Sequence, residues 1–370
     1  MINFDFDLLR GIGLSETLAQ RARDAADTDA ADAGRDTDRG PPALMRVTAV
    51  HRATVQLHDG RGDRDARVLP RLLRRDDGAG ALAVGDWVIA GGDAAGDLWA
   101  RHRIEPTSHI ARRDGDGSRH PIVSNVDRVL VVMGLDDDYN LRRAERYLSL
   151  VAASGVEALI VLTKADIAAA DPTRRDRRVA QLRDRIAPDV EVVPVDATDP
   201  RSAASFAHAT AFGETLVVLG SSGAGKSTLT NTLLGAAVQD TGAVRAHDGR
   251  GMHTTTGRAL HRLPGGACII DTPGLRTLRS DADADALLAS FADVAMLSAC
   301  CRFRDCSHGG EPGCAVRAGV DPDRLHNFQK MLRENRRDTL SWVERRQQLS
   351  AWKSRGREAL VWMKMKRGEG

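Results

Sequence analysis

The sequence contains no long apolar run, and this absence limits the kinds of protein that it can be. The longest apolar runs, such as residues 129–133 or 159–162, are far shorter than the roughly 18 residues that suggest a membrane span. The first five residues also lack a basic region followed by an apolar one, so we predict no signal peptide. These absences lead us to expect a cytoplasmic protein that makes no use of a membrane.

The sequence also lacks a large excess of positive or negative charge, because the formal net charge of the 370 residues is only +2. That value by itself neither favours nor excludes a nucleic-acid partner. The charge is unevenly placed, however: residues 322–370 carry 13 Lys and Arg against 6 Asp and Glu. This basic C-terminal segment, predicted to be helical, is either an arm that contacts phosphates or a solvated helix face.

Cysteine is scarce, but four of the five cysteines lie within fifteen residues. Such crowding in a chain with no export signal indicates metal binding rather than a disulfide framework. Three thiolates and one imidazole form a closed tetrahedral zinc shell with no open position, which is typical of a structural site. The candidate ligands are Cys301, Cys306, His308 and Cys314, with Cys300 as an alternative to Cys301.

The length allows two or three domains, and the pattern changes twice along the chain. Residues 1–43 include an alanine- and aspartate-rich run with no aromatic residue, so we predict a disordered acidic extension, with a short amphipathic helix near residues 8–18. Residues 44–113 contain five short alternating segments separated by turn residues, which predict a β-barrel of the OB type. Its many arginines suit either nucleic-acid binding or an ordinary solvated surface.

From residue 127 onward, apolar runs alternate with helix-length segments. This alternation predicts a parallel sheet with helices on both faces, in which ligands bind at the carboxyl ends of the strands. Functional motifs are therefore expected directly after the apolar runs.

A glycine-rich segment follows the run at residues 215–219 and precedes a predicted helix. Its spacing is that of a phosphate-binding loop, in which backbone N–H groups surround phosphate oxygens at the positive end of a helix. Lys226 is expected to reach the β- and γ-phosphates, and the Ser227 hydroxyl to bind Mg²⁺. The predicted nucleotide-binding residues of this loop are Gly220, Ser221, Ser222, Gly223, Ala224, Gly225, Lys226, Ser227 and Thr228.

Two further motifs follow other apolar runs. Thr163, Lys164 and Asp166 stand after residues 159–162, where a carboxylate can accept two hydrogen bonds from guanine and the Lys164 stem can cover the base. Asp271 and Gly274 belong to an Asp-Thr-Pro-Gly segment that can hold Mg²⁺ and sense the γ-phosphate. The alternative interpretations without a functional role are a helix cap at Asp166 and an ordinary Pro-Gly turn at residues 271–274.

The order of these motifs is the most specific signal, because the guanine motif precedes both the phosphate loop and the Asp271 motif. With the His-Thr-Thr-Thr segment at residues 253–256, this order resembles that of the circularly permuted GTPases, and specifically the bacterial ribosome small-subunit-dependent GTPase A family. The resemblance covers about residues 44–335. It implies a multidomain protein with an N-terminal OB-like β-barrel, a circularly permuted α/β P-loop GTPase domain at 114–280 and a C-terminal helical zinc-binding domain at 281–370.

The resemblance also implies a function. A member of this family hydrolyses GTP, with Mg²⁺, while it is bound to the 30S ribosomal subunit and its 16S rRNA, and it assists late subunit maturation; we expect a monomer. The family pattern favours Cys301 over Cys300 as the first zinc ligand. Leu275 stands where other GTPases have a water-orienting glutamine, so His253 is the candidate for positioning the attacking water, with contact to RNA or solvent as the alternative.

Two departures from the usual GTPase pattern affect guanine binding. Thr163 replaces the common asparagine, and residues 195–197 read Val-Asp-Ala rather than ending in Ser-Ala. Two other classes of function stay open on the sequence. One is a P-loop ATPase or kinase that acts on a small molecule, and the other is an RNA-binding module whose nucleotide is structural.

Overall fold

The structure is a computed structural model. It describes residues 2–33, 40–51, 54–73, 81–113, 119–168, 171–204, 210–236, 258–272 and 284–338. Among the helices in these ranges, none combines the length and the apolar character that crossing a bilayer requires.

The first five strands close into a barrel. β1 pairs with β2, β2 with β3, β3 with β5 and β5 with β4, and β4 returns to β1; only the β3–β5 pair is parallel. The predicted alternation is present, since Val55 and Leu57 of β2 are buried while Thr54 is exposed. The predicted OB-like barrel is therefore confirmed. Its elements are β1 (Ala43–Val50), β2 (Thr54–His58), β3 (Asp63–Val68), α3 (Pro70–Leu73), β4 (Trp87–Gly92) and β5 (Leu98–Arg103).

A second group of strands forms the predicted parallel sheet, in the order β10-β9-β8-β11-β13-β12. The last of these, β12, is antiparallel to β13 and also pairs with β1 of the barrel through Ala49 and Ala259. The barrel and the α/β domain thus share one continuous sheet. The strands are β8 (Arg128–Gly134), β9 (Glu157–Thr163), β10 (Glu191–Pro194), β11 (Thr215–Gly220), β12 (Ala259–Arg262) and β13 (Cys268–Asp271).

Helices cover this sheet, and a hairpin connects it to the barrel. Strands β8 and β11 read as near-continuous apolar runs because both of their faces are buried. The remaining elements are the hairpin β6 (His109–Arg113) and β7 (Arg119–Ser124), and the helices α4 (Leu141–Ala152), α5 (Ala165–Ala168), α6 (Pro172–Arg183), α7 (Pro200–Ala203) and α8 (Lys226–Leu234).

The C-terminal region is helical and has its own apolar core. Phe291 and Phe328 are both buried, with their ring centroids 5.2 Å apart, and Val294 and Val316 pack around them. The helices are α9 (Ala284–Ala289), α10 (Ala292–Ser298), α11 (Ala315–Gly319) and α12 (Pro322–Asp338). The predicted basic helix is seen as far as Asp338, and residues 339–370 lie outside the described residues.

The prediction of a disordered N-terminal extension is wrong for most of that segment. α1 (Phe6–Arg10) and α2 (Glu16–Ala33) are helical, and Gly13, at φ 90°, lies in the turn between them. The physical reason is a stripe of small and apolar residues spaced four apart, which a composition argument overlooks. The stripe consists of Leu18, Ala22 and Ala26 of α2, and Leu14 directly before the helix is buried with them in the cluster of Trp87 and Val129.

One buried arginine joins the extension to both neighbouring domains. Arg46 of β1 is completely buried, and its guanidinium donates to the carbonyl of Ile12, the hydroxyl of Thr215 (2.9 Å) and the carbonyl of Asn125 (3.0 Å). It also lies over the Trp87 ring, 5.7 Å from the centroid. We call this set of contacts the N-terminal seam.

A second buried arginine joins the α/β domain to the helical domain. Arg324 of α12 donates to Glu145 of α4 (2.9 Å) and, through two nitrogens, to Asp293 (2.7 and 2.8 Å). The other Glu145 oxygen accepts from Asn327 at 2.6 Å, and Arg185 donates to the first at 3.0 Å. We call this set of contacts the C-terminal seam.

Candidate nucleotide and zinc sites

The phosphate loop lies between the end of β11 and the first turn of α8. Gly223 and Gly225 have φ of 81° and 90°, which only glycine adopts freely. At Gly220 glycine is required for lack of space, because a Cβ there would lie 2.4 Å from the carbonyl oxygen of Val132. The backbone therefore turns tightly in front of a nine-residue helix whose positive end faces the loop.

Lys226 is held inside this loop. Its side chain is only 7% exposed, and its Nζ donates to the carbonyl of Ser221 at 2.7 Å. Burial lowers the pKa of Lys226, while the charges of Asp271 and Asp138 act in the opposite direction. Among the described residues, this partly desolvated ammonium is bound to a neutral carbonyl, and it is well placed to take a phosphate oxygen instead.

Asp271 provides the best indication of a cation site. This residue ends β13, beside Val218 of β11, and it is 1% exposed. Among the described residues, neither of its carboxylate oxygens has a hydrogen-bond partner. Burial raises the pKa of Asp271 to about 6, although Lys226 opposes the rise. A buried carboxylate that lacks partners suits Mg²⁺. Ser227, the residue after Lys226 in the first turn of α8, is half-buried.

Thr163 joins the guanine motif to the phosphate loop. It is completely buried, and its hydroxyl donates to the carbonyl of Ala224 at 2.6 Å. A Cβ at Gly225 would lie 3.1 Å from the same hydroxyl, so the two motifs pack directly against each other. The hydroxyl of Thr163, a residue of the predicted guanine motif, is therefore bound to the phosphate loop in this structure.

The other guanine-motif residues face the solvent side of this edge. Asp166 lies in the first turn of α5 and is exposed, as binding to a base edge requires. Lys164 is half-buried at φ 61°, and its Nζ donates to Asp136 at 2.7 Å. The backbone N–H of Ala165 donates to the carbonyl of Val195 (3.1 Å), which brings the next loop to the same place.

That next loop is the one in which Asp196 departs from the usual pattern. Its carboxylate accepts from the backbone N–H of Thr198 (2.8 Å) and from the Thr198 hydroxyl (2.6 Å), and these bonds lower the pKa of Asp196. The extra carboxylate is therefore used inside the turn, and Ala197 is buried beneath it.

Several predicted residues lie outside the described residues: His253 and its segment at 249–257, Gly274 and Leu275. Sequence reasoning also missed two residues of the site, Asp136 and Asp138, which bind Lys164 and Ser221. The available signal was their position, since three aspartates follow the apolar run of β8 at the edge where ligands bind.

The zinc ligands predicted from sequence come together in the helical domain. The ligand atoms of Cys301, Cys306, His308 and Cys314 all lie within 4.8 Å of one another. Cys301 Sγ and Cys314 Sγ are 3.9 Å apart, and His308 Nδ1 lies 3.7 and 3.5 Å from them. Zn–S bonds of about 2.3 Å in a tetrahedron require sulfur atoms about 3.8 Å apart, so the group fits zinc. Cys300 is exposed and is not part of this group.

A local network presents His308 to this group. Glu311 accepts hydrogen bonds from the backbone N–H groups of Ser307, Gly309 and Gly310, each at 2.8 or 2.9 Å. His308 has a φ of 60°, and its carbonyl accepts from Gln329 of α12 at 2.8 Å. The ligand loop is thus ordered by its own carboxylate and fixed to α12.

Comparison with known proteins identifies the family. The family model described as "RsgA GTPase" matches residues 104–281. A small ribosomal subunit biogenesis GTPase RsgA from Xanthomonas campestris pv. campestris (strain B100) is 46% identical over 256 residues, which are 67% of this chain and 68% of that protein. The chain belongs to the RsgA GTPase family. The RsgA of Xanthomonas axonopodis pv. citri (strain 306) is 45% identical over 68% of this chain and 69% of its own.

Solved structures agree with the RsgA fold. YjeQ from Thermotoga maritima has a TM-score of 0.57 at 21% identity, covering 80% of this chain and 98% of its own. YloQ, described as a circularly permuted GTPase, has a TM-score of 0.56 at 21% identity, covering 81% and 97%. These matches confirm the multidomain, permuted architecture, and the family makes the chain a GTPase that hydrolyses GTP.

Proposed function

We propose that this RsgA-family GTPase acts in small-subunit biogenesis, and that it hydrolyses GTP while bound to the 30S subunit and its 16S rRNA. We further propose that it works as a cytoplasmic monomer. The observation that best supports the nucleotide chemistry is the buried carboxylate of Asp271, which has no hydrogen-bond partner among the described residues and lies near enough to Lys226 for their charges to interact. The ribosomal part rests on the names of the relatives.

In this proposal, each residue at the phosphate end of the site has its own role. Lys226 exchanges the Ser221 carbonyl for β- and γ-phosphate oxygens, and the loop N–H groups surround the phosphates. Ser227 and Asp271 would hold Mg²⁺, which would neutralise charge on the phosphates. Gly274 follows the same strand and would respond to the γ-phosphate.

At the base end, the exposed Asp166 accepts hydrogen bonds from guanine, and the Lys164 stem covers the ring. Thr163 acts indirectly, because its hydroxyl fixes the Ala224 carbonyl and so sets the distance between the base and phosphate ends. Residues 195–197 contribute backbone beside Lys164 and Ala165.

Zinc is assigned a structural role at Cys301, Cys306, His308 and Cys314, because four protein ligands leave no position for a substrate. The proposed division into domains is a barrel at 44–113, a GTPase domain at 114–280 and a zinc domain at 281–370. The helical segment at 6–33 serves as a packed extension of the first two.

The proposal is tested by measuring GTP and ATP turnover with and without purified 30S subunits. We expect slow GTP hydrolysis alone, strong stimulation by subunits and little ATP hydrolysis. Equal use of ATP would favour a P-loop ATPase or kinase, and tight subunit binding without stimulation would favour an RNA-binding module. In the same assay, His253→Ala should bind GTP and subunits normally and lose most of the stimulation, if His253 positions the attacking water.

A further inference from the structure

The order of the strands places an unassigned loop between the two halves of the nucleotide site. Strand β8 lies between β9 and β11 in the parallel sheet. The guanine motif follows β9 and the phosphate loop follows β11. Residues 135–140, which follow β8 and which we call the acidic loop, therefore lie between them, since the carboxyl ends of parallel strands meet at one edge.

One carboxylate of the acidic loop binds the guanine motif. Asp136 Oδ2 accepts from Lys164 Nζ at 2.7 Å, and its other oxygen accepts from the backbone N–H of Asp138 at 3.2 Å. Partial burial raises the pKa of Asp136, but the Lys164 ammonium and the other hydrogen bonds lower it overall. This carboxylate is therefore charged at neutral pH. The position of the lysine stem is thus fixed by a residue outside the motif.

A second carboxylate of the loop binds the phosphate loop. Asp138 Oδ1 accepts from the Ser221 hydroxyl at 2.5 Å, and Oδ2 accepts from the backbone N–H of Gly134 at 3.0 Å. A carboxylate here would repel phosphates, but Arg143 pairs with it at 2.5 Å and compensates its charge. The Asp138 side chain is only 13% exposed, so the geometry is held by packing as well as by charge.

We infer that Asp136 and Asp138 are positioning residues for the nucleotide, Asp136 acting through Lys164 at the base end and Asp138 acting through Ser221 at the phosphate end. The inference rests on the proposed function in one respect, which is that Lys164 and Ser221 bind the nucleotide. Asp137, between the two, is exposed and serves as a matched control with the same charge.

The test is a set of double-mutant cycles read out as GDP affinity and as KM and kcat for 30S-stimulated GTP turnover. Asp136→Ala should weaken GDP binding about threefold to fivefold with kcat unchanged, and should have no further effect when Lys164 is already alanine. Asp138→Ala should weaken GDP binding about fivefold to tenfold, and should have no further effect on Ser221→Ala. The crossed pairs, Asp136→Ala with Ser221→Ala and Asp138→Ala with Lys164→Ala, should be additive.

Three controls separate this inference from simpler explanations. Asp137→Ala should leave GDP affinity within twofold of wild type, and Asp138→Asn, which keeps an acceptor for Ser221, should restore most of it. If Lys226→Ala and Asp166→Ala leave GDP affinity unchanged, the proposed nucleotide site fails, whereas unchanged affinity in Lys164→Ala and Ser221→Ala alone would overturn the positioning role. Additive matched pairs, or an Asp137→Ala effect equal to that of Asp136→Ala, would overturn the positioning role while leaving the site intact.

Discussion

The two seams each bury an arginine, but they satisfy it in different ways. The described contacts of Arg46 in the N-terminal seam are neutral oxygens and the Trp87 ring, whereas Arg324 in the C-terminal seam binds the carboxylates of Glu145 and Asp293. Burial lowers the pKa of Arg46. Burial also disfavours the charged form of Arg324, but the carboxylates of Asp293 and Glu145 raise the pKa of Arg324 overall.

This difference indicates what each seam can do. In the N-terminal seam, Arg46 donates to two backbone carbonyls and one hydroxyl from three parts of the chain, and none of these acceptors is a carboxylate. The C-terminal seam consists of ion pairs, and its Glu145 lies on α4, the helix that directly follows the acidic loop. Through α4, the zinc domain is therefore attached to the edge at which we propose that nucleotide binds.

Zinc removal should have the largest effect and should affect the C-terminal seam alone. Structural zinc contributes folding free energy outright, and Gln329 connects the His308 loop to α12. We expect a chelator, or Cys306→Ala, to unfold residues 284–338 while GDP binding changes little. Hydrogen exchange of α12 against α2 measures this difference, and metal analysis that finds no zinc in the purified protein would contradict it.

Arg46→Ala should have the next largest effect, on the opposite seam. It removes a completely buried guanidinium and leaves the carbonyls of Ile12 and Asn125 without that donor, at a cost of about 3–5 kcal/mol in the free energy of unfolding. Hydrogen exchange should rise in α2 and β1 before it rises in α12. Arg46→Lys, which keeps the charge but not the fork of donors, should recover only part of the loss. Uniform loosening of both seams would mean that they are not independent.

Much of the site could be predicted from the sequence, because its motifs are local. The phosphate loop and the zinc ligands each occupy one short segment whose spacing carries the chemistry. The N-terminal seam could not be predicted in this way, because Arg46 meets Ile12, Asn125 and Thr215 only after the chain has folded. The same holds for Thr163, whose partner Ala224 is 61 residues away.

The N-terminal extension could not be predicted for a different reason. Its composition is polar and acidic, which suggests disorder, but Leu18, Ala22 and Ala26 form a stripe on one face of α2 and pack in the cluster that contains Trp87. Composition averages over all the faces of a helix, whereas the packing of the helix depends on the residues of one face. The expected single helix near residues 8–18 is broken by the turn at Gly13 for the same tertiary reason, since a Cβ there would lie 2.0 Å from the Arg46 guanidinium.

Glu145→Ala should weaken the C-terminal seam by about 2–4 kcal/mol, because it leaves Arg324 and Asn327 buried without that carboxylate. The isosteric Glu145→Gln should cost less, since it keeps an acceptor oxygen but loses the charge. The measurement is the unfolding of the zinc domain followed by hydrogen exchange of α12. An effect of Glu145→Gln as large as that of Glu145→Ala would show that charge, and not hydrogen bonding, holds this seam.

Acid should also distinguish the seams, and it acts on the C-terminal one in two ways, because it releases zinc by protonating the thiolate and imidazole ligands and also protonates Asp293. Burial opposes ionisation of Asp293, but Arg324 lowers its pKa overall, so its contribution to stability is complete above the unfolded pKa of about 3.9. That contribution is lost as the pH falls through the lower pKa of the folded state. We expect exchange in α12 to rise below about pH 4 while the contacts of Arg46 persist. Earlier loss of protection in α2 than in α12 would reverse the comparison.

The most direct test of the whole account is the base preference of Asp166→Asn, because the central claim is that a permuted order of motifs still assembles one guanine-nucleotide site. An amide at this position is complementary to xanthine rather than to guanine. We predict that Asp166→Asn binds GTP weakly and hydrolyses xanthosine triphosphate in its place, with 30S stimulation retained. Unchanged GTP affinity in this variant would contradict the assignment of the guanine motif, and with it the site described here.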